Sequence, residues 1–124
     1  RAEDGVAARL SENLPSDHEP PELPMLISPR LIESCFQTAG VWEIGTTGRM
    51  GLPLHVDRVT TFGRLEPKNG GRLFAVAVPK NGGYDASIID AEGRVYVRLS
   101  GYRTAQIPSA VDGALLAPLA RAMG

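Results

Sequence analysis

The sequence predicts an α+β domain: one long apolar helix followed by an antiparallel meander of about four strands. Three observations carry that reading. Ser28-Pro29 opens a run of apolar residues at helical spacing, the period changes to two after about residue 54, and turn-forming residues separate the alternating segments.

Residues 1 to about 24 are polar and rich in proline, with Pro15, Pro20, Pro21 and Pro24. A short helix through Val6 to Leu14 fits the pattern, and Pro20-Pro21 forbids its continuation, because proline removes a backbone donor and clashes with the preceding turn. Residues 1–24 therefore read as a linker and extended lead-in, and 25–124 as the domain.

Ser28 followed by Pro29 is a helix start, a serine cap with proline at the first helical position. The helix is expected to end near Gly45-Thr46-Thr47-Gly48. Leu31, Ile32, Cys35, Phe36, Ala39 and Trp42 fill one side, while Val41 and Ile44 occupy much of the other. So wide an apolar arc predicts a helix wrapped by other structure.

Four strands follow. Leu54 to Leu65 carries Val56, Val59 and Phe62, Arg72 to Pro79 is the second, and Tyr84 to Asp90 is the third. The clearest runs from Arg94 to Thr104, where Val95, Val97 and Leu99 alternate with Arg94, Tyr96 and Arg98. Asn69-Gly70-Gly71, Asn81-Gly82-Gly83 and Asp90-Ala91-Glu92-Gly93 supply residues that tolerate positive φ. Pro108 to Met123, with Leu115, Leu116 and Leu119, reads as a weakly amphipathic tail. An antiparallel sheet wrapped around one long helix buries both, and that description is the hot-dog fold.

Composition narrows the function. The 124 residues are 43% hydrophobic and 22% charged, with a net charge of -1, so no overall field draws the chain to nucleic acid or to an anionic membrane. One cysteine, Cys35, excludes an internal disulfide framework and an all-cysteine metal cluster, and it fits a reducing, cytoplasmic setting. No apolar run approaches the roughly 20 residues that span a bilayer. The chain opens Arg1-Ala2-Glu3-Asp4-Gly5, without an initiator methionine or a signal peptide, which reads as a piece of something longer.

Two segments resemble a known family. Leu31-Ile32-Glu33-Ser34-Cys35-Phe36-Gln37 resembles the second-half motif of polyketide synthase dehydratases, Leu-Leu-Asp-x-x-x-Gln or His. Gly51-Leu52-Pro53-Leu54-His55-Val56-Asp57-Arg58-Val59 is similar to the Leu-Pro stretch that follows it there. Asp90-Ala91-Glu92-Gly93, a long strand and Leu99-Ser100-Gly101-Tyr102-Arg103 continue in the family's order, so the likeness covers about residues 24–108. It implies that residues 25–124 are the C-terminal hot-dog half of a double hot-dog dehydratase. The family's acid is usually aspartate and this chain has Glu33 there, the residue type used by related bacterial fatty-acid dehydratases.

Glu33 and Gln37 are four apart, so on a helix they are neighbours on one face. A carboxyl enclosed on an apolar helix favours its protonated form, which is what a general acid requires. The resemblance implies the reaction. A histidine in a missing N-terminal half removes the C2 proton of a 3-hydroxyacyl thioester, and Glu33 protonates the departing 3-hydroxyl. The products are a trans-2-enoyl thioester and water, with Gln37 positioning Glu33 or the hydroxyl. The substrate arrives on the phosphopantetheine arm of an acyl carrier protein, so no metal or other cofactor is implied, and the full double hot-dog is expected to be a homodimer.

Plainer readings stand beside these. A Glu/Gln pair at this spacing is ordinarily a solvated stripe. Cys35 falls on the apolar arc as a core residue, and His18 in the lead-in reads as solvated. His55, Pro53 and Phe36 are candidates to line the substrate channel. Neither histidine lies in the family's His-x-x-x-Gly-x-x-x-x-Pro motif. Arg94, Arg98 and Arg103 read as a solvated sheet face, with docking of an acidic carrier protein as the alternative. The glycine pairs do not open a helix after a strand, so nucleotide binding has no support. Against the enzyme fragment stands a non-catalytic acyl-binding, scaffold or product-shaping module. The fragment predicts Glu33 facing a cavity at an interface with a second hot dog, and the module predicts it solvated or ion-paired. A stand-alone homodimeric thioesterase or hydratase is disfavoured by the missing base motif.

Overall fold

A computed structural model describes residues 4–21, 23–63 and 71–123. Its elements are strand β1 (Val6–Arg9), helix α1 (Pro29–Thr47), strands β2 (Arg49–His55), β3 (Arg58–Thr61), β4 (Leu73–Lys80), β5 (Gly83–Asp90) and β6 (Val95–Ala110), and helix α2 (Gly113–Met123). Leu65, Asn69 and Gly70, part of the first-strand and first-turn expectations, lie outside the described residues.

The strands form one six-stranded antiparallel sheet in the order β1-β4-β5-β6-β2, with β3 also paired to β6. The architecture is α+β, an antiparallel sheet with α1 packed against it, consistent with a hot-dog fold.

The helix begins and ends where its sequence signals lie, but its cap is not the one expected. Ser28 occupies the cap position without capping through its own side chain. Asp17, eleven residues upstream, does that work: its Oδ1 accepts the Arg30 N–H at 2.6 Å and its Oδ2 accepts the Ser28 hydroxyl at 2.8 Å. At the other end Gly48 takes the left-handed conformation (φ 70°) and its N–H donates to the Ile44 carbonyl, closing the last turn.

The helix is not wrapped on all sides as the wide arc predicted. Leu31, Cys35, Ala39, Trp42 and, unexpectedly, Glu43 face inward, whereas Glu33, Gln37 and Val41 form an outward stripe at i, i+4, i+8. The inward residues meet Ala75 and Ala77 of β4, Ala86 and Ile88 of β5, and Val97 and Leu99 of β6, all buried. Alanines on two adjacent strands let the helix approach the sheet closely, and Ile88 and Leu99 supply bulk, each worth about 1.5–3 kcal/mol on burial.

The segment weighed as a short helix over Val6–Leu14 is instead extended at its start. Val6–Arg9 pairs with Ala77–Phe74 of β4, so the backbone groups that a helix would satisfy locally are satisfied by a distant strand. The Asn81-Gly82 turn is as expected: Lys80 pairs with Gly83 and both loop residues have positive φ, the two-residue hairpin geometry. At the β5–β6 turn the buried Asp90 carboxylate accepts the Glu92 and Arg94 backbone N–H groups, the Arg94 guanidinium and the Tyr96 hydroxyl. Desolvation opposes its ionisation, but these bonds outweigh it and hold the carboxyl down to about 2.

The expected strand over Leu54–Leu65 is two strands. β2 pairs with residues 103–110 of β6 and β3 with residues 97–100, so both lie along one side of the same long strand. The break falls opposite Gly101, whose positive φ (65°) and missing side chain leave room for the Asp57 carboxylate.

Candidate functional site

Glu33 and Gln37 project from the outward stripe of α1 one turn apart, and the Gln37 Nε2 donates to Glu33 Oε1 at 3.2 Å. Both side chains are exposed. The enclosure expected of an acid on an apolar helix is therefore not supplied by the described residues of this chain. Phe36, beside them, is half-buried and rests on Tyr102 with ring centroids 4.7 Å apart. Tyr102 in turn lies 6.2 Å from Tyr84. Burial, followed by the charges of Glu43 and Glu33, pushes the Tyr102 hydroxyl up to about 12, so that ring feels both acids of the helix.

His55 and Pro53 sit on β2, exposed, with Pro53 paired to Thr104 and His55 to Arg103. His55 Nε2 lies 2.8 Å from Asp57 Oδ1, and the Arg103 guanidinium donates to the same oxygen at 2.7 Å. The His55 hydrogen bond, with those of Arg103 and both charges, outweighs desolvation and holds Asp57 below the usual carboxylate range. Glu33, Gln37 and Phe36 thus come together on neighbouring turns of α1, while His55 and Pro53 belong to a separate strand. Among the described residues no hydrogen bond joins His55 to Glu33.

The remaining candidates have ordinary partners. Cys35 is fully buried, and burial pushes its thiol up to about 12, the chemistry of a core residue rather than a nucleophile. His18 is not fully solvated as expected. Its Nδ1 lies 2.8 Å from the Pro20 carbonyl and its Nε2 is buried, because the lead-in folds back to cap α1 through Asp17. Arg94 pairs with Asp90 and Glu92, Arg103 with Asp57, and Arg98 lies 5.6 Å from the Phe62 ring centroid. No described helix is long and apolar enough to cross a membrane.

One acid escaped the sequence reading. Glu43 extends the inward series Cys35, Ala39 by one more turn, and a carboxyl in an apolar i, i+4 series was the available signal. It is only 4% exposed. Its Oε1 accepts the Thr104 hydroxyl at 2.8 Å, and its Oε2 has no hydrogen-bond partner among the described residues.

The class that these features define is an α+β domain carrying an acid and an amide on its one long helix against an antiparallel sheet. The family model described as PS-DH, polyketide synthase dehydratase N-terminal domain, matches residues 1–114, and the chain belongs to the polyketide synthase dehydratase family. That description names the N-terminal domain, whereas the motif order had pointed to the C-terminal half. No curated protein and no solved structure matches the chain.

Proposed function

We propose that this chain is the acid-bearing, C-terminal hot-dog half of a 3-hydroxyacyl-[acyl carrier protein] dehydratase domain in a polyketide synthase or related fatty-acid-synthase-like multienzyme. The observation that carries the reading is the Glu33–Gln37 pair, hydrogen-bonded and presented on the face of α1 turned away from its own sheet. A second hot dog laid over that stripe would enclose Glu33 and bring a histidine to the opposite side of the substrate. The histidine takes the C2 proton, the C3–O bond breaks, and Glu33 gives its proton to the leaving hydroxyl, yielding water and the trans-2-enoyl thioester. Gln37 holds the Glu33 carboxyl in one orientation. Phe36, Pro53 and His55 border the acyl chain, which arrives on the phosphopantetheine of an acyl carrier protein in the cytoplasm. The complete double hot-dog pairs as a homodimer.

The exposure of Glu33 favours a second reading, a non-catalytic module that holds acyl chains or supports a partner domain. Native mass spectrometry of the purified protein, with peptide sequencing of any companion, separates the two. A stable companion bearing His-x-x-x-Gly-x-x-x-x-Pro, with hydration of crotonyl thioester that is lost in Glu33→Gln, supports the dehydratase half. A chain that binds no such companion, or a complex whose hydration survives Glu33→Gln, overturns it. Because the matching family model is the N-terminal one, a companion carrying a second acid motif instead of the histidine would reverse the assignment of halves.

A further inference from the structure

Helix α2 (Gly113–Met123) starts at Asp112, whose carboxylate accepts the Ala114 N–H at 2.9 Å and whose carbonyl accepts the Leu115 and Leu116 N–H groups. Beyond that first turn little holds it. Pro118 interrupts the helix and removes a backbone donor. Leu116 and Leu119 are half-buried, Leu115 is 74% exposed, and Met123 is the one buried residue of the helix. Its packing partner is α1.

The Met123 side chain lies on α1 at Gly45. A Cβ added there would collide with the thioether sulfur and lie 2.7 Å from the Met123 Cε, so glycine is what leaves the sulfur its place. Glycine inside a helix is unfavourable relative to alanine, because it gives up more backbone freedom on folding. Gly40, on the same helix, gives a comparison: a Cβ there would meet nothing within 4 Å. The missing side chain is thus an occupied notch at Gly45 and open space at Gly40.

A helix of 11 residues with one buried side chain opens locally more readily than the sheet does, and each opening brings the Met123 thioether to solvent. A peroxide can then transfer one oxygen to the sulfur. A sulfur lone pair attacks, the O–O bond breaks, the sulfur is oxidised by two electrons, and the peroxide leaves as water or an alcohol. The sulfoxide is bulkier and polar, and returning it to the notch would bury its oxygen against the Gly45 backbone.

We propose that Met123 is an oxidation site: conversion of its thioether to the sulfoxide by a peroxide holds α2 off α1, and enzymatic reduction lets the helix return. The site is separate from the Glu33–Gln37 pair and does not rest on the dehydratase reading.

The test treats the intact chain with hydrogen peroxide to partial conversion and follows hydrogen–deuterium exchange by mass spectrometry of the proteolytic peptide covering residues 113–123. Met123 is the only methionine in that peptide, so its oxidised and reduced forms separate by mass within one sample, and oxidation at Met25 or Met50 falls on both alike. The sulfoxide form is expected to exchange at least about tenfold faster, and methionine sulfoxide reductases added before the exchange should abolish the difference. In the unoxidised chain, Gly45→Ala is expected to produce the same acceleration and Gly40→Ala none. Equal exchange of the two forms overturns the proposal, as does a Met123 that stays reduced when Met50, 42% exposed, is fully oxidised. An α2 without protection in the untreated chain overturns it as well, and so does a folded Gly45→Ala with full protection. The comparison of forms uses the unaltered sequence, so it decides the matter even where Gly45→Ala fails to fold.

Discussion

At its second turn α1 holds a carboxyl in solvent, with Gln37 Nε2 at 3.2 Å and an apolar neighbour, Phe36, resting on Tyr102. Near its end the same helix encloses a second carboxyl, Glu43, with one oxygen on Thr104 and the other buried without a hydrogen-bond partner among the described residues. The two side chains are chemically identical and covalently only ten residues apart. Their surroundings differ because 33, 37, 41 and 35, 39, 43 are separate i, i+4 series on one cylinder, and the sheet covers only the second. Chemistry that needs a companion surface can occur at the first acid, and chemistry that needs a preformed enclosure at the second. Tyr102, raised first by its burial, lies near enough to feel the charge of both.

The largest effect that would sharpen this contrast is on activity. In the reconstituted double hot-dog, Glu33→Gln is expected to lower crotonyl-thioester hydration by about 10²–10⁴-fold, while a thermal melt of the isolated chain changes little. A large loss of stability with unchanged rate would break the assignment of Glu33 to the open face. Next is thiol reactivity on the two series. Iodoacetamide at pH 8 should alkylate native Cys35 about three orders of magnitude more slowly than a cysteine placed at the exposed position by Gln37→Cys, and the difference should vanish in denaturant.

Packing distinguishes the faces more modestly. Leu31→Ala, on the covered side, is expected to cost about 2–5 kcal/mol in urea melts, whereas Val41→Ala on the outward stripe should stay within about 0.5 kcal/mol. Thr104→Val removes the hydroxyl that donates to the Glu43 carboxylate and is expected to cost about 1–3 kcal/mol. The smallest effect belongs to the exposed pair itself. Gln37→Ala should lower stability by no more than about 0.5 kcal/mol, measurable as a small displacement of the urea midpoint.

Much of the fold was legible because its signals are local. Ser28-Pro29 and Gly48 mark the helix, Asn81-Gly82 marks a two-residue turn, and the alternation after Arg94 marks β6. The features that escaped are settled by distant partners. Val6–Arg9 is too short to show a period and becomes a strand only because β4 offers an edge. The interruption between β2 and β3 depends on Asp57 meeting Gly101, forty-four residues later. Asp17, not Ser28, caps the helix because the lead-in folds back onto it.

The candidate site divides in the same way. Glu33 and Gln37 were readable as neighbours from their spacing and from a family motif, and the hydrogen bond between them follows from helical geometry alone. Glu43 carries a single local signal, its place four residues after Ala39 in an apolar series. The sheet that buries it is assembled from residues up to sixty-one positions away. His55 was weighed for its surroundings on the strand, and its companion Asp57, two residues on, shares its carboxylate with Arg103.

The length of β6 has a kinetic consequence. Its residues 97–99 are clamped on both sides, by β5 and by β3, while those after Arg103 have β2 on one side and no partner from β5. The two stretches meet at Gly101, which turns the strand between them. Amide protons in the first stretch should therefore exchange with deuterated water only on global opening, and those in the second through local fraying. One continuous strand thus contains a slow clock and a fast one, and the ratio of their rates reports how firmly β2 is held.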